Sequence, residues 1–133
     1  MILDTNVVLQ HIRRKQSISP RGILPIVVVG ELQAFALKAD WGAQKLLVLE
    51  NIIQKLPIAD IHSEIIQHYA QIDAYSQNRL KMNPLTEKTP RNMGKNDIWI
   101  AAIALFYDLE LWSLDNDFDH LVSFGLKLTK KSV

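Results

Sequence analysis

What most constrains this chain is a repeated order: a short, largely apolar run, then a segment of helix length, then another such run. Residues 1–4 (MILD) and 110–115 (ELWSLD) read as strands, 126–129 (LKLT) as a last strand, and 57–60 as a short strand or linker. A strand with one wet face alternates apolar and polar residues, whereas parallel strands covered by helices on both faces are nearly continuous in apolar character. Parallel neighbours also need long crossover connections, which the intervening segments supply. The order therefore predicts an α/β domain with a mainly parallel central sheet flanked by helices. At 133 residues, 48% of them hydrophobic, the chain has the length and apolar content for one core, so a single domain over 1–133 is expected.

The connecting segments fit this plan. Thr5 is a candidate N-cap for a short helix on Val7, Val8 and Ile12, closed by Arg13, Arg14 and Lys15, whose charge suits a helix C-terminus. Residues 17–22 form a loop around Pro20. The run 24–29 (LPIVVV) fits either a strand or a helix start. Helical spacing runs from Glu31 through Lys38, Gly42 interrupts it, and a second helix over 43–55 completes a helical hairpin. A longer amphipathic helix is expected over 62–80, with Ile65, Ile66, Tyr69, Ile72 and Tyr75 along one side. Residues 81–96 hold two prolines and a glycine and read as a loop, an apolar helix starts at Asp97, and 117–121 form a short helix.

Several chemistries are excluded. There is no cysteine, hence no disulfide, thiolate metal site or Cys nucleophile. His11, His62, His68 and His120 show no zinc-binding spacing, and no phosphate-binding Gly-x-x-x-x-Gly-Lys loop occurs. No apolar stretch approaches the ~18 residues of a membrane span, and no basic-then-apolar leader is visible; no membrane association and a cytoplasmic location are the expectation. Trp41, Trp99 and Trp112 read as core or interface packing. Net charge is only +1, yet bases cluster at 13–21 and at 79–95, where Arg79, Lys81, Lys88, Arg91 and Lys95 face one acid, Glu87. Such clusters suit a polyanion as well as a solvated surface.

The acids are more informative. Taken singly, each has a local explanation: Asp4, Asp97, Asp115 and Asp117 suit turns and helix caps, and Glu31 suits the positive end of a helix dipole. Together they point elsewhere. Asp4 and Asp115 end strands, at the ligand-binding edge of an open parallel sheet. Glu31 and Asp97 are expected in first helical turns that can face the same edge. Two carboxylates ~4 Å apart repel by about 4 kcal/mol at an effective dielectric of ~20. Such a cluster calls for protonation, solvent or a cation. All-oxygen ligands favour Mg²⁺ or Mn²⁺, and the corresponding chemistry is attack of water on a phosphodiester.

The ordered set MILDTN, VVVGEL, GKNDIWIAAIA and LWSLDNDFDHL resembles the PIN-domain nucleases, across essentially the whole chain and most closely in the short VapC-type form found in bacterial toxin–antitoxin pairs. The resemblance implies a PIN-like three-layer fold. It implies Asp4, Glu31, Asp97 and Asp115 as catalytic acids, with Asp4, Asp97, Asp115 and Asp117 on the metal and Thr5, Asn6 and Ser113 supporting them. It further implies a Mg²⁺- or Mn²⁺-dependent endoribonuclease that uses metal-activated water, a cognate antitoxin and a homodimer. Arg13, Lys88, Arg91 and Lys95 are the expected contacts to the RNA substrate. Two departures stand out: Val27 to Gly30 replace the Ser or Thr that many relatives carry before the second helix, and Ser113 stands where Thr is usual.

Alternatives remain at this stage: a PIN nuclease of RNA processing without an antitoxin, or a PIN scaffold that binds RNA or protein without cleaving. A phosphoacceptor receiver needs paired acids after its first strand, which LDTN lacks. A phosphatase of the haloacid dehalogenase type needs Asp-x-Asp, and position 6 is Asn.

Overall fold

Ile2 and Leu3 are buried and form β1 (Ile2–Leu3), the middle strand of the sheet. The computed structural model describes residues 1–81, 84 and 90–130. After β1 come α1 (Thr5–Arg13), β2 (Leu24–Pro25), α2 (Ile26–Lys38), α3 (Ala43–Lys55) and β3 (Ile58–Ala59). A 3-10 turn (Ser63–Ile65) leads into α4 (Ile66–Ser76), followed by α5 (Lys95–Tyr107), β4 (Leu111–Ser113), a 3-10 helix (Asn116–Phe124) and β5 (Leu128–Lys130).

β1 pairs with β4, and β4 with β5, Ile2 lying opposite Leu111 and Leu111 opposite Leu128. On the other side of β1 a bridge joins Ile2 to Ile23, leading into β2, which pairs with β3. The order is β3-β2-β1-β4-β5, and every pairing among the described residues is parallel. The chain builds outward from β1 to β3, then crosses through α4 and α5 to the opposite side. The direction of building reverses between β1 and β4, and that seam is where an open parallel sheet leaves a crevice at its carboxyl ends.

The α/β expectation therefore holds, with corrections at element boundaries. Helix α2 begins at Ile26, so the ambiguous run is a two-residue strand followed by a helix, and Glu31 sits in the second turn rather than the first. Three consecutive valines and Gly30 are poor helix formers, but the helix buries Val28, Leu32 and Ala36 against the core, and that packing overrides propensity. Thr5 does not cap α1: Asp4 does, its carboxylate accepting from the Thr5 N–H. The expected helix over 62–80 shortens to the 3-10 turn plus α4, with Ile65, Ile72 and Tyr75 buried but Ile66 exposed. Helix α5 starts two residues before Asp97, with Gly94 at its N-cap. Gly22 sits close to the core: a Cβ there would lie 2.5 Å from Leu3 Cδ1, so the buried Leu3 side chain would have to shift. No helix among the described residues is long and apolar enough to cross a membrane.

Candidate active site

Asp4 follows β1 and Ser113 ends β4, on the two strands that flank the reversal. Asp4 is only 4% exposed. Its Oδ1 accepts the Thr5 N–H at 2.8 Å and its Oδ2 accepts from Ser113 Oγ at 2.7 Å, so both oxygens are held. Ser113 Oγ in turn accepts the Asp115 N–H at 2.9 Å, and one hydroxyl thus ties two acids from sequence-distant segments. Asp115 Oδ1 accepts the Asp117 N–H at 3.0 Å and caps the 3-10 helix.

The turn carrying these acids is anchored from three sides. Lys130 pairs with Asp119 at 2.7 Å and donates to Asn116 Oδ1 at 3.1 Å and to the Asp115 carbonyl. Arg91 Nη2 donates to the Asn116 carbonyl at 3.4 Å. Buried His120 lies with Nε2 2.8 Å from Ser76 Oγ, fastening the 3-10 helix to α4.

Two further acids come from other elements. Thr5 Oγ1 donates to Glu31 Oε1 at 2.9 Å, linking α1 to the second turn of α2. Asp97 enters from the first turn of α5. Carboxylate oxygens of Asp97, Asp115 and Asp117 lie within 4.8 Å of one another. Asp4, Glu31, Asp97 and Asp115 line one open cleft of ≈ 770 Å³ together with Thr5, Asn6 and Asn96. The cleft thus gathers the four expected catalytic acids, while exposed Asp117 joins Asp97 and Asp115 through the carboxylate cluster.

The cluster is electrostatically uncomfortable. Burial, and then the charges of Asp4, Asp115, Glu31 and Asp117, push the Asp97 carboxyl up to about 7. Burial also raises Asp4, against the lowering effect of the Ser113 and Thr5 hydrogen bonds, with Asp115 and Glu31 adding to the rise. The ammonium of Lys130 is engaged by Asp119 and Asn116. Carboxylates alone, one of them rigidly mounted and two of them raised, suit a hard divalent cation such as Mg²⁺ or Mn²⁺.

The expected substrate contacts separate. Arg13 is exposed, its guanidinium 5.4 Å from the centroid of the Phe35 ring. Arg91 bonds the acid-bearing turn, so its first structural role is to tie residues 90–94 to that turn. Lys95 is exposed at the start of α5, and Lys88 lies outside the described residues. Sequence reasoning missed Asn96, Phe35 and Lys38, which also line the cleft. Phe35 and Lys38 stand four and seven residues after Glu31, the spacing of one helix face, and that signal was available.

A model of the PIN domain matches residues 1–122. No curated protein sequence matches the chain. Among solved structures, a chain of VapBC2 from Rickettsia felis, bound to a fragment of promoter DNA, superposes with a TM-score of 0.75 at 18% identity, covering 98% of both chains. FitAcB from Neisseria gonorrhoeae gives 0.72 at 19%, over 97% of this chain and 96% of that one. VapBC-5 from Mycobacterium tuberculosis, a member of a family of toxin–antitoxin systems, gives 0.67 at 25%, over 96% and 94%.

Proposed function

The chain belongs to the PIN-domain family, and on that footing we propose that it is a Mg²⁺- or Mn²⁺-dependent endoribonuclease, the toxin of a VapBC-type toxin–antitoxin pair. The observation that carries this reading is the convergence of Asp4, Glu31, Asp97 and Asp115 on one cleft at the β1–β4 seam, with the Asp97 carboxyl pushed up to about 7.

Asp4, Asp97, Asp115 and Asp117 would hold the cation. When bound, it supplies Lewis acidity toward a phosphodiester and charge to balance the leaving oxygen. The chain's own groups do the positioning. Ser113 and the Thr5 N–H fix the plane of the Asp4 carboxylate, and Thr5 Oγ1 holds Glu31 by Oε1. With that oxygen engaged, Glu31 Oε2 serves as acceptor for the proton of the attacking water. Asn6 and Asn96, on the cleft wall, offer amide groups to the phosphate and sugar of the strand.

The antitoxin would cover the helical hairpin. Leu37 is 82% exposed on α2 and Leu47 58% on α3, with Leu46 and Val48 also exposed, whereas Leu32, Ala36, Leu49 and Ile52 face the core. An apolar helix of the partner packs there and delivers a basic side chain to the acids, where it replaces the cation. A homodimer contact is the competing use of the same surface. VapBC-5 belongs to a family of toxin–antitoxin systems, and a similar structure from Klebsiella pneumoniae is a toxin–antitoxin complex, which supports the first use.

The test is cleavage of a single-stranded RNA by the purified protein in Mn²⁺, with the product ends mapped. Products bearing 5′-phosphate and 3′-hydroxyl support the reading. A 2′,3′-cyclic phosphate would place the nucleophile on the RNA itself and contradict it.

A further inference from the structure

Next to the acidic cleft stand two aromatic rings, each covered by a cation. Phe35 lines the cleft, and its ring meets that of Trp41 edge-on, with centroids 5.8 Å apart and planes at 64°. The Arg13 guanidinium lies 5.4 Å from the Phe35 centroid, and Lys45 Nζ lies 5.6 Å from the Trp41 centroid. Lys38, exposed on the last turn of α2, lines the cleft beside Phe35. Five groups thus form one row beside the acids, two rings in contact with a cation on each and Lys38 next to them, drawn from α1, α2, the α2–α3 turn and α3.

The ring–ring contact has a structural explanation. Helix α2 ends with Asp40 in a left-handed conformation, φ 52°, while the Asp40 N–H bonds Leu37 O and the Trp41 N–H bonds Ala36 O. This is a Schellman closure, which brings the residue after the turn onto the last turn of its helix. It accounts for Trp41 packing on Phe35. It does not account for Arg13 and Lys45, which come from other elements and converge on the rings. Both rings stay half-buried and all three cations exposed, with Asp40 the one acid in the connecting turn.

We infer that this row is the path of single-stranded RNA out of the cleft, with a base stacked on Trp41 and the phosphates held by Arg13, Lys38 and Lys45. The inference rests on the nuclease reading given above. A ring with a cation on its face presents both groups that a nucleotide needs: a base takes the face while the cation moves to the adjoining phosphate. The location is also electrostatically sensible. A polyanion approaching a cluster of carboxylates needs cations beside it, and this row places Lys38 on the cleft wall with Arg13 and Lys45 on the adjoining rings. An acidic protein segment would use the cations but gain nothing from the ring faces beneath them. Duplex RNA would use the cations while its bases stay stacked inside the helix. The row therefore favours an unpaired strand.

The experiment measures binding of labelled oligouridylates of 4 and 12 nucleotides to the Asp97→Asn protein as a function of salt. Added to that background are Trp41→Ala in one protein and Arg13→Gln with Lys45→Gln in another. The second pair changes only exposed side chains, so it stays informative if Trp41→Ala fails to fold by circular dichroism. The longer oligomer should bind more tightly than the shorter. Trp41→Ala should remove at least about fivefold of that affinity, one stacked base. The double variant should lower the salt slope by about 1.4, two contacts on a single strand. Length-dependent binding that neither variant alters would overturn the path while leaving the nuclease reading intact. No binding of either oligomer to the parent protein would count against both. A duplex, or polyglutamate, bound as tightly and weakened equally by the same variants would overturn the assignment to unpaired RNA.

Discussion

Ser113 Oγ stands 2.7 Å from Asp4 Oδ2, joining β4 to β1 across the one seam where the order of the sheet reverses. The hydroxyl also accepts the Asp115 N–H, so a single atom fixes the relative placement of two acids at the cleft. Ser113→Ala leaves a buried carboxylate oxygen and a backbone N–H without this partner, at a cost of about 1–3 kcal/mol. Loss of such an outer hydrogen bond should weaken Mn²⁺ binding by about 10–100-fold. Calorimetric titration of Mn²⁺, alongside a denaturant melt, measures both effects.

Thr5 should divide its two roles cleanly. Its N–H, which holds Asp4, survives any substitution other than proline, while its hydroxyl, which holds Glu31, is lost in Thr5→Val. The expected outcome is a drop in kcat with Mn²⁺ affinity changed little, because Asp4 stays in place. A variant that loses metal affinity and keeps its rate at saturating Mn²⁺ would reverse these assignments.

The metal-free protein should lose stability as pH rises. Burial and its acidic neighbours raise Asp97 from 3.8 to about 7 in the folded state, and Asp4 is raised as well. Between those limits the folded chain holds more protons than the unfolded one, so stability falls with increasing pH. The contribution is complete below about 3.8 and gone above about 7. In EDTA the melting temperature should therefore decline across this window through these groups, and Asp97→Asn should flatten the decline. Mn²⁺ should restore stability most at the alkaline end, since it competes with the proton on Asp97.

Part of this site was legible because its acids adjoin element boundaries. Asp4 and Asp115 end apolar runs, and Asp97 opens an apolar helix, so their placement follows once the sheet is read as parallel. Glu31 was harder: a β-branched run that fits strand or helix hid the start of α2, and the packing of Val28, Leu32 and Ala36, a long-range effect, decided it. The link from Thr5 to Glu31 and the Lys130 anchor join residues far apart in sequence, which local patterns do not encode. Arg91 is expected from the sequence as a contact to RNA, and its bond to Asn116 depends on where the 90–94 segment returns. Trp41 read as packing, and it does pack, yet its neighbours Arg13 and Lys45 become visible only when three elements converge.

The hairpin surface makes a separate prediction. Leu47→Asp or Leu37→Asp places a charge on an exposed apolar face, so the stability of the free protein should change by no more than about 0.5 kcal/mol. Co-expressed with the proposed antitoxin, either variant should fail to co-purify, while the parent is captured with its Mn²⁺ site blocked. If the partner still binds and the free variant changes from dimer to monomer by sedimentation, the surface belongs to the homodimer.

The central claim is that the acids at the β1–β4 seam hold a divalent cation that drives RNA cleavage. Its most direct test is the initial rate of cleavage of a labelled single-stranded RNA as Mn²⁺ is titrated into EDTA-treated protein, run in parallel on the parent and on Asp97→Asn. The account predicts no cleavage without Mn²⁺, saturable activation of the parent, and an Asp97→Asn variant that folds normally and stays inactive at every concentration. Cleavage by both proteins at equal rates, or by the parent at full rate in EDTA, would contradict it.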